Sequence, residues 1–253
     1  MIFAKLVFPP LSHILNWKNI VPGLNKIGVI AVLAALVTIV VFALASKGDA
    51  LVAPKGIKNF GETVVEFIQN NVIMQTMGRD GLGWTPFLTT TFCFVFLMNI
   101  SGIIPTFQMP GNARMATPLF LALIVWLIYN AVGIKHQGVG GYLKSSLFPP
   151  GLPKPLYLLV TPIEFVSNFL VRPFSLAIRL FANLMAGHIL LFTFALMTDS
   201  LLRSVAFLKP VAILTVVMLI FLTAFEVLVA FLQAYIFSML TAVYIGSSAH
   251  PEH

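Results

Sequence analysis

Long apolar runs alternate with short polar breaks along the whole chain, and the runs predict helices long enough to cross a membrane. Residues 1–26 form a lead-in with Pro9, Pro10 and Lys18. Residues 27–45 carry no charge and predict the first transmembrane helix, since about 20 apolar residues span a bilayer. Over 57–76 the pattern changes. Ile57, Phe60, Val64, Phe67 and Ile68 recur at helical spacing, with Lys58, Glu62, Glu66 and Gln69 between them. That is the pattern of an amphipathic helix lying in the membrane interface, and it also fits a helix packed in a small extramembrane layer. Residues 84–134 hold two further spans, Trp84 to Ile104 and Thr117 to Ile134, forming a hairpin around Pro105, Pro110 and Gly111. Gly138, Gly140, Gly141, Pro149, Pro150, Pro153 and Pro155 then predict a loop over 135–155.

The segment 156–248 predicts a hairpin of two long helices joined by the charged connector from Asp199 to Lys209. The second has neither Gly nor Pro from Val211 to Ile245. At ~1.5 Å per residue it is on the order of 50 Å long, whereas the hydrocarbon core is only ~30 Å thick. Such a helix must tilt strongly, bend or project. The predicted fold class is therefore an all-α polytopic membrane protein. It has about five membrane-embedded helices and one interfacial amphipathic helix, the last two helices long and strongly tilted.

Composition agrees. Hydrophobic residues make up 59% of the chain and charged residues 9%, where a soluble domain carries about 25% charge. The net charge of +7 is scattered over short loops, as in a membrane protein oriented by its positive loops. No basic cluster points to nucleic acid, and no glycine-rich phosphate loop is present. The single cysteine, Cys93, excludes an intrachain disulfide. No metal site or other cofactor is expected.

Chemistry enters where charge interrupts hydrocarbon. Glu164, Asn168, Arg172, Ser175, Arg179 and Asn183 follow one another at spacings of 4, 4, 3, 4 and 4, which sets them along one helical face. A charge at the bilayer centre costs about 3 kcal/mol on insertion scales, so these groups face water, a counter-charge or a partner. His188 lies further along and points away from Arg179. The last helix carries one charge, Glu226, and Gln233 two turns on. If the two helices run antiparallel with Arg179 level with Gln233, His188 falls level with Glu226. A carboxyl and an imidazole suit a proton relay. Arg179 keeps its proton and serves as a fixed positive charge. Other readings fit some positions equally well. Arg172 is also placed as an interface anchor, Glu164 and Asn168 as caps of their helix, Asn99 as a helix–helix hydrogen bond, and Tyr244 as an interface aromatic.

At these residues the chain resembles subunit a of the F-type ATP synthases. The matching pieces are Arg172-Pro173-Phe174-Ser175-Leu176-Ala177-Ile178-Arg179-Leu180-Phe181-Ala182-Asn183 with Ala186-Gly187-His188, and Gln233-Ala234-Tyr235-Ile236-Phe237 with Leu240-Thr241. Met98-Asn99-Ile100 with Ile104-Pro105 adds to them, and the likeness runs from about Lys55 to the end. The resemblance implies a stator subunit whose two long helices lie against a ring of c subunits and form two aqueous half-channels. Arg179 would separate the half-channels and meet the ring carboxylate, with Asn183 and Gln233 beside it. His188 and Glu226 would match a relay pair in the outer half-channel, with acid and imidazole exchanged between helices relative to some members. It further implies the c-subunit ring, b-type peripheral stalk subunits, the whole ATP synthase complex and the lipid membrane as partners. No ATP chemistry is expected in this chain. The lysine-rich loops favour a bacterial plasma membrane over a mitochondrial inner membrane. A proton-coupled secondary transporter is the alternative, although no internal repeat supports it; a non-conducting scaffold is a third reading.

Overall fold

The computed structural model describes residues 26–46, 56–104, 111–112, 114–148, 156–203 and 209–249. The lead-in before Lys26, most of the connector after the first span, and the prolines at 105, 110, 149, 150, 153 and 155 lie outside them. Every regular element among the described residues is helical.

Helix α1 is Lys26–Ala45. Helix α2 begins at Ile57–Ile68, widens through Gln69–Ile73 and ends at Met74–Thr76. A tight helical segment, Gly78–Trp84, leads into α3, Thr85–Ile100. Helix α4 is Ala116–Leu147, α5 runs over Tyr157–Leu202, and α6 is Lys209–Ala249. Five segments are long and apolar enough to cross a membrane, the last two 46 and 41 residues long. At ~1.5 Å per residue α6 measures roughly 60 Å, about twice the hydrocarbon thickness.

The core sits where α3, α4, α5 and α6 meet. Leu88, Val95, Val125, Leu176, Leu180 and Phe237 are fully or almost fully buried there. Ala230, Ala234, Ser238 and Ala242 recur every fourth residue along α6, all at 0% exposure. A stripe of small side chains lets backbones approach closely, which is what packs helices in lipid. Outward residues such as Ile213, Leu214 and Ile220 stay exposed, as a lipid or partner face requires.

Helix α2 divides its apolar face. Ile57 and Phe60 are exposed, while Ile68, Val72 and Ile73 are buried in the core. Phe67 meets the rings of Phe92, Phe231 and Tyr235 at 5.8–5.9 Å between centroids. Its first turns thus leave apolar side chains exposed, and its later turns dock on the bundle.

The stretch expected as a loop from residue 135 is helical as far as Leu147. The chain reverses at Gly138, where φ is 72° and ψ 162°, a left-handed backbone that glycine adopts at little cost. Past it the chain folds back. Tyr142 Oη donates to Asn130 Oδ1 at 2.9 Å, and Ser145 Oγ to Gln137 Oε1 at 2.6 Å.

Candidate functional site: the polar track between α5 and α6

Helices α5 and α6 run antiparallel, pinned near their turn by Thr198 Oγ1 donating to Thr215 Oγ1 at 2.9 Å. Further along, Asn183 Nδ2 donates to Gln233 Oε1 at 2.8 Å. Gln233 thus pairs with Asn183, one turn beyond Arg179 on α5. Gln233 is 2% exposed, and its acceptor is filled within the hairpin.

A groove of about 570 Å³ follows from this pair between the two helices, lined by Asn183, Gly187, Leu222, Phe225, Glu226 and Gln233 among others. Glu226 is buried at 5% exposure. It lies against Gly187, where a Cβ would come 3.3 Å from Glu226 Oε1. The glycine leaves room for the carboxylate, and His188 is the next residue on α5. Glu226 Oε2 and His188 Nδ1 are both buried without a hydrogen-bond partner. Buried polar atoms are nearly always paired, and each exception needs an explanation. Glu226 borders the groove itself, and His188 follows Gly187 on its wall.

Arg179 is half-buried, and no hydrogen bond or ion pair among the described residues engages it. A guanidinium inside an apolar span without an anion is costly, and no acidic side chain among the described residues pairs with it.

The upstream part of the stripe is assembled differently. Asn168 Nδ2 donates to the Ser146 carbonyl at 2.8 Å and to Glu164 Oε2 at 3.2 Å. Arg172 lies 5.4 Å above the centre of the Tyr244 ring, a cation–π distance, and Tyr244 packs beside Tyr129. Tyr244 is therefore a partner of Arg172 within the bundle. Ser175 is exposed. Asn99 is remote from this cluster; its Nδ2 donates to the Ala230 carbonyl at 3.3 Å and its Oδ1 accepts from Asn112 Nδ2 at 2.8 Å. Sequence reasoning missed Asn112, Ser146 and Tyr129. For Tyr129 a signal existed, since a tyrosine in the middle of an apolar span needs a partner for its hydroxyl.

Among the described residues no group of three His, Cys, Asp or Glu side chains is placed to hold a metal. The fold and the track define a polytopic membrane protein with polar groups kept unpaired between its two longest helices. Residues 28–246 match the family described as ATP synthase A chain. An ATP synthase subunit a of Frankia alni is 43% identical over 91% of this chain and 79% of its own length. The subunits a of Nocardioides sp. and Rhodococcus erythropolis are 40% and 39% identical, covering 93% and 90% of this chain and 86% and 84% of their own. The chain belongs to the ATP synthase subunit a family and is an integral membrane subunit of the proton-transporting sector.

Proposed function

We propose that the groove between α5 and α6 is part of a proton half-channel, and that Arg179 faces a carboxylate on a ring of c subunits. The observation that carries this reading is two unpartnered buried atoms, Glu226 Oε2 on the groove and His188 Nδ1 one residue past the Gly187 wall, together with an arginine that nothing in the described chain neutralises. A proton taken up at the Glu226–His188 pair passes along the groove toward Asn183 and Gln233. It then protonates a ring carboxylate, which loses its attraction to Arg179 and moves on. Arg179 holds its own proton throughout, so it resets the next carboxylate and blocks a direct leak between the two sides. The Glu164–Asn168–Arg172 stretch, two to four turns upstream, is the counterpart on the other side. Ring passage couples proton flow to rotation within the ATP synthase, with b-type stalk subunits holding the stator. The subunits a of Frankia alni, Nocardioides sp. and Rhodococcus erythropolis are bacterial proteins, which supports a bacterial plasma membrane.

Glu226→Gln tests the groove. Proton uptake is expected to slow by about a hundredfold, the low end of what removal of a positioned acid or base costs, while the complex still assembles. ATP-driven acidification of inverted vesicles reads it, and unchanged acidification would remove Glu226 from the path.

A further inference from the structure

Helix α5 contains one turn that is too wide for an α-helix. Over Ser167–Val171 the hydrogen bonds skip a residue, and the Arg172 N–H donates to the Ser167 carbonyl, five positions back. Next comes Pro173, which has no N–H to give. The carbonyl of Asn168 is therefore left without a donor from its own helix. Tyr129 of α4, 2% exposed, supplies one: its hydroxyl donates to the Asn168 carbonyl at 2.8 Å. An ordinary α-turn here would return the Arg172 N–H to Asn168 and orphan the Phe169 carbonyl, whose donor would be Pro173. The proline thus guarantees one orphan carbonyl, and the position of the tyrosine hydroxyl decides which one. A second wide turn among the described residues, Gln69–Ile73, also receives a tyrosine hydroxyl, with Tyr235 Oη donating to the Asn71 carbonyl at 3.1 Å.

The choice sets the phase of the stripe. Glu164 and Arg172 are eight residues apart, about 800° of rotation in an unbroken α-helix, which leaves them roughly 80° out of line. A wide turn absorbs one residue, so the separation behaves as about seven residues and the two fall within roughly 20°. Arg172 and Arg179 are seven residues apart without any such device.

We propose that Tyr129 is a positioning residue: by capping the Asn168 carbonyl it holds the wide turn and keeps Glu164 on the face of Arg172 and Arg179. This rests on the half-channel reading of that face.

The test uses inverted vesicles carrying the assembled complex. Tyr129→Phe is expected to lower ATP-driven acidification about three- to tenfold at equal assembly, the shift one lost hydrogen bond produces. Deletion of Leu170, a residue of the turn that is 60% exposed, lets a plain α-helix keep Glu164 seven places from Arg172. It should preserve acidification and restore it in Tyr129→Phe. Unchanged acidification in Tyr129→Phe, or no restoration by the deletion, would overturn the proposal. A second readout does not depend on the deletion. In a Cys93→Ser background with Glu164→Cys, a water-soluble maleimide should label position 164 several-fold more slowly once Tyr129→Phe is added; equal rates would also overturn it. Arg179→Ala runs alongside. Normal acidification there defeats the half-channel reading, whereas lost acidification there with an unaffected Tyr129→Phe defeats only the role of the tyrosine.

Discussion

Two buried polar clusters touch α6 about one turn apart, and they are built on opposite terms. At Ala230, the Asn99 amide bonds the backbone carbonyl on one side and accepts from Asn112 on the other. At Glu226, the carboxylate keeps an atom unpaired on the wall of a groove, and the imidazole of His188, the residue after Gly187, keeps another. Closed amide pairs of the first kind tie membrane helices together. Open groups of the second kind destabilise a fold and persist where they carry a function. Polarity alone does not distinguish the two: the Asn99 amide is paired through both its nitrogen and its oxygen, although Asn112 Oδ1 beside it stays open, whereas ionisable groups are left open at Glu226 and His188.

The contrast can be attacked from its open side first. Gly187→Leu would put a branched side chain where even a Cβ comes 3.3 Å from Glu226 Oε1. Acidification of vesicles is expected to fall to background in an assembled complex, and retained pumping would mean the groove is not the path. Next in size, His188→Ala and Glu226→Gln should be non-additive. A relay pair predicts a coupling of roughly 0.5–3 kcal/mol in the double-mutant cycle of pumping rates, while additive losses would separate the two residues. Smallest for transport is Asn99→Leu, on the closed side. It should cost about 1–3 kcal/mol by orphaning its partners, seen as lower thermal stability of the complex, with pumping per assembled complex unchanged. A transport defect at full stability would move Asn99 into the pathway and erase the contrast.

Much of this was legible in the sequence because hydrocarbon is a severe filter. The charge-free run before Ala45, the amphipathic pattern from Ile57 and the unbroken last helix leave few alternatives to the observed helices. The residues after 134 misled because glycine clusters usually mark loops. Here Gly138 alone makes the reversal, and Tyr142 and Ser145 re-anchor a helix that continues beyond it. Arg179, His188 and Glu226 stood out as charges in apolar spans. The hydrogen-bond partner of Gln233 did not, since spacing fixes which residues share a face but not which long side chains on facing turns reach one another. The wide turn before Pro173 was equally hidden. Its only trace is a proline whose missing N–H orphans a carbonyl, and the hydroxyl that answers it comes from another helix.

The central claim is that Arg179 is a fixed charge serving a carboxylate on another chain. Arg179→Ala tests it most directly, with ATP-driven acidification of inverted vesicles measured beside assembly of the whole complex on the same membranes. The account predicts a fully assembled complex that no longer acidifies the vesicles. An assembled complex that pumps normally would contradict it and return Arg179 to a structural role.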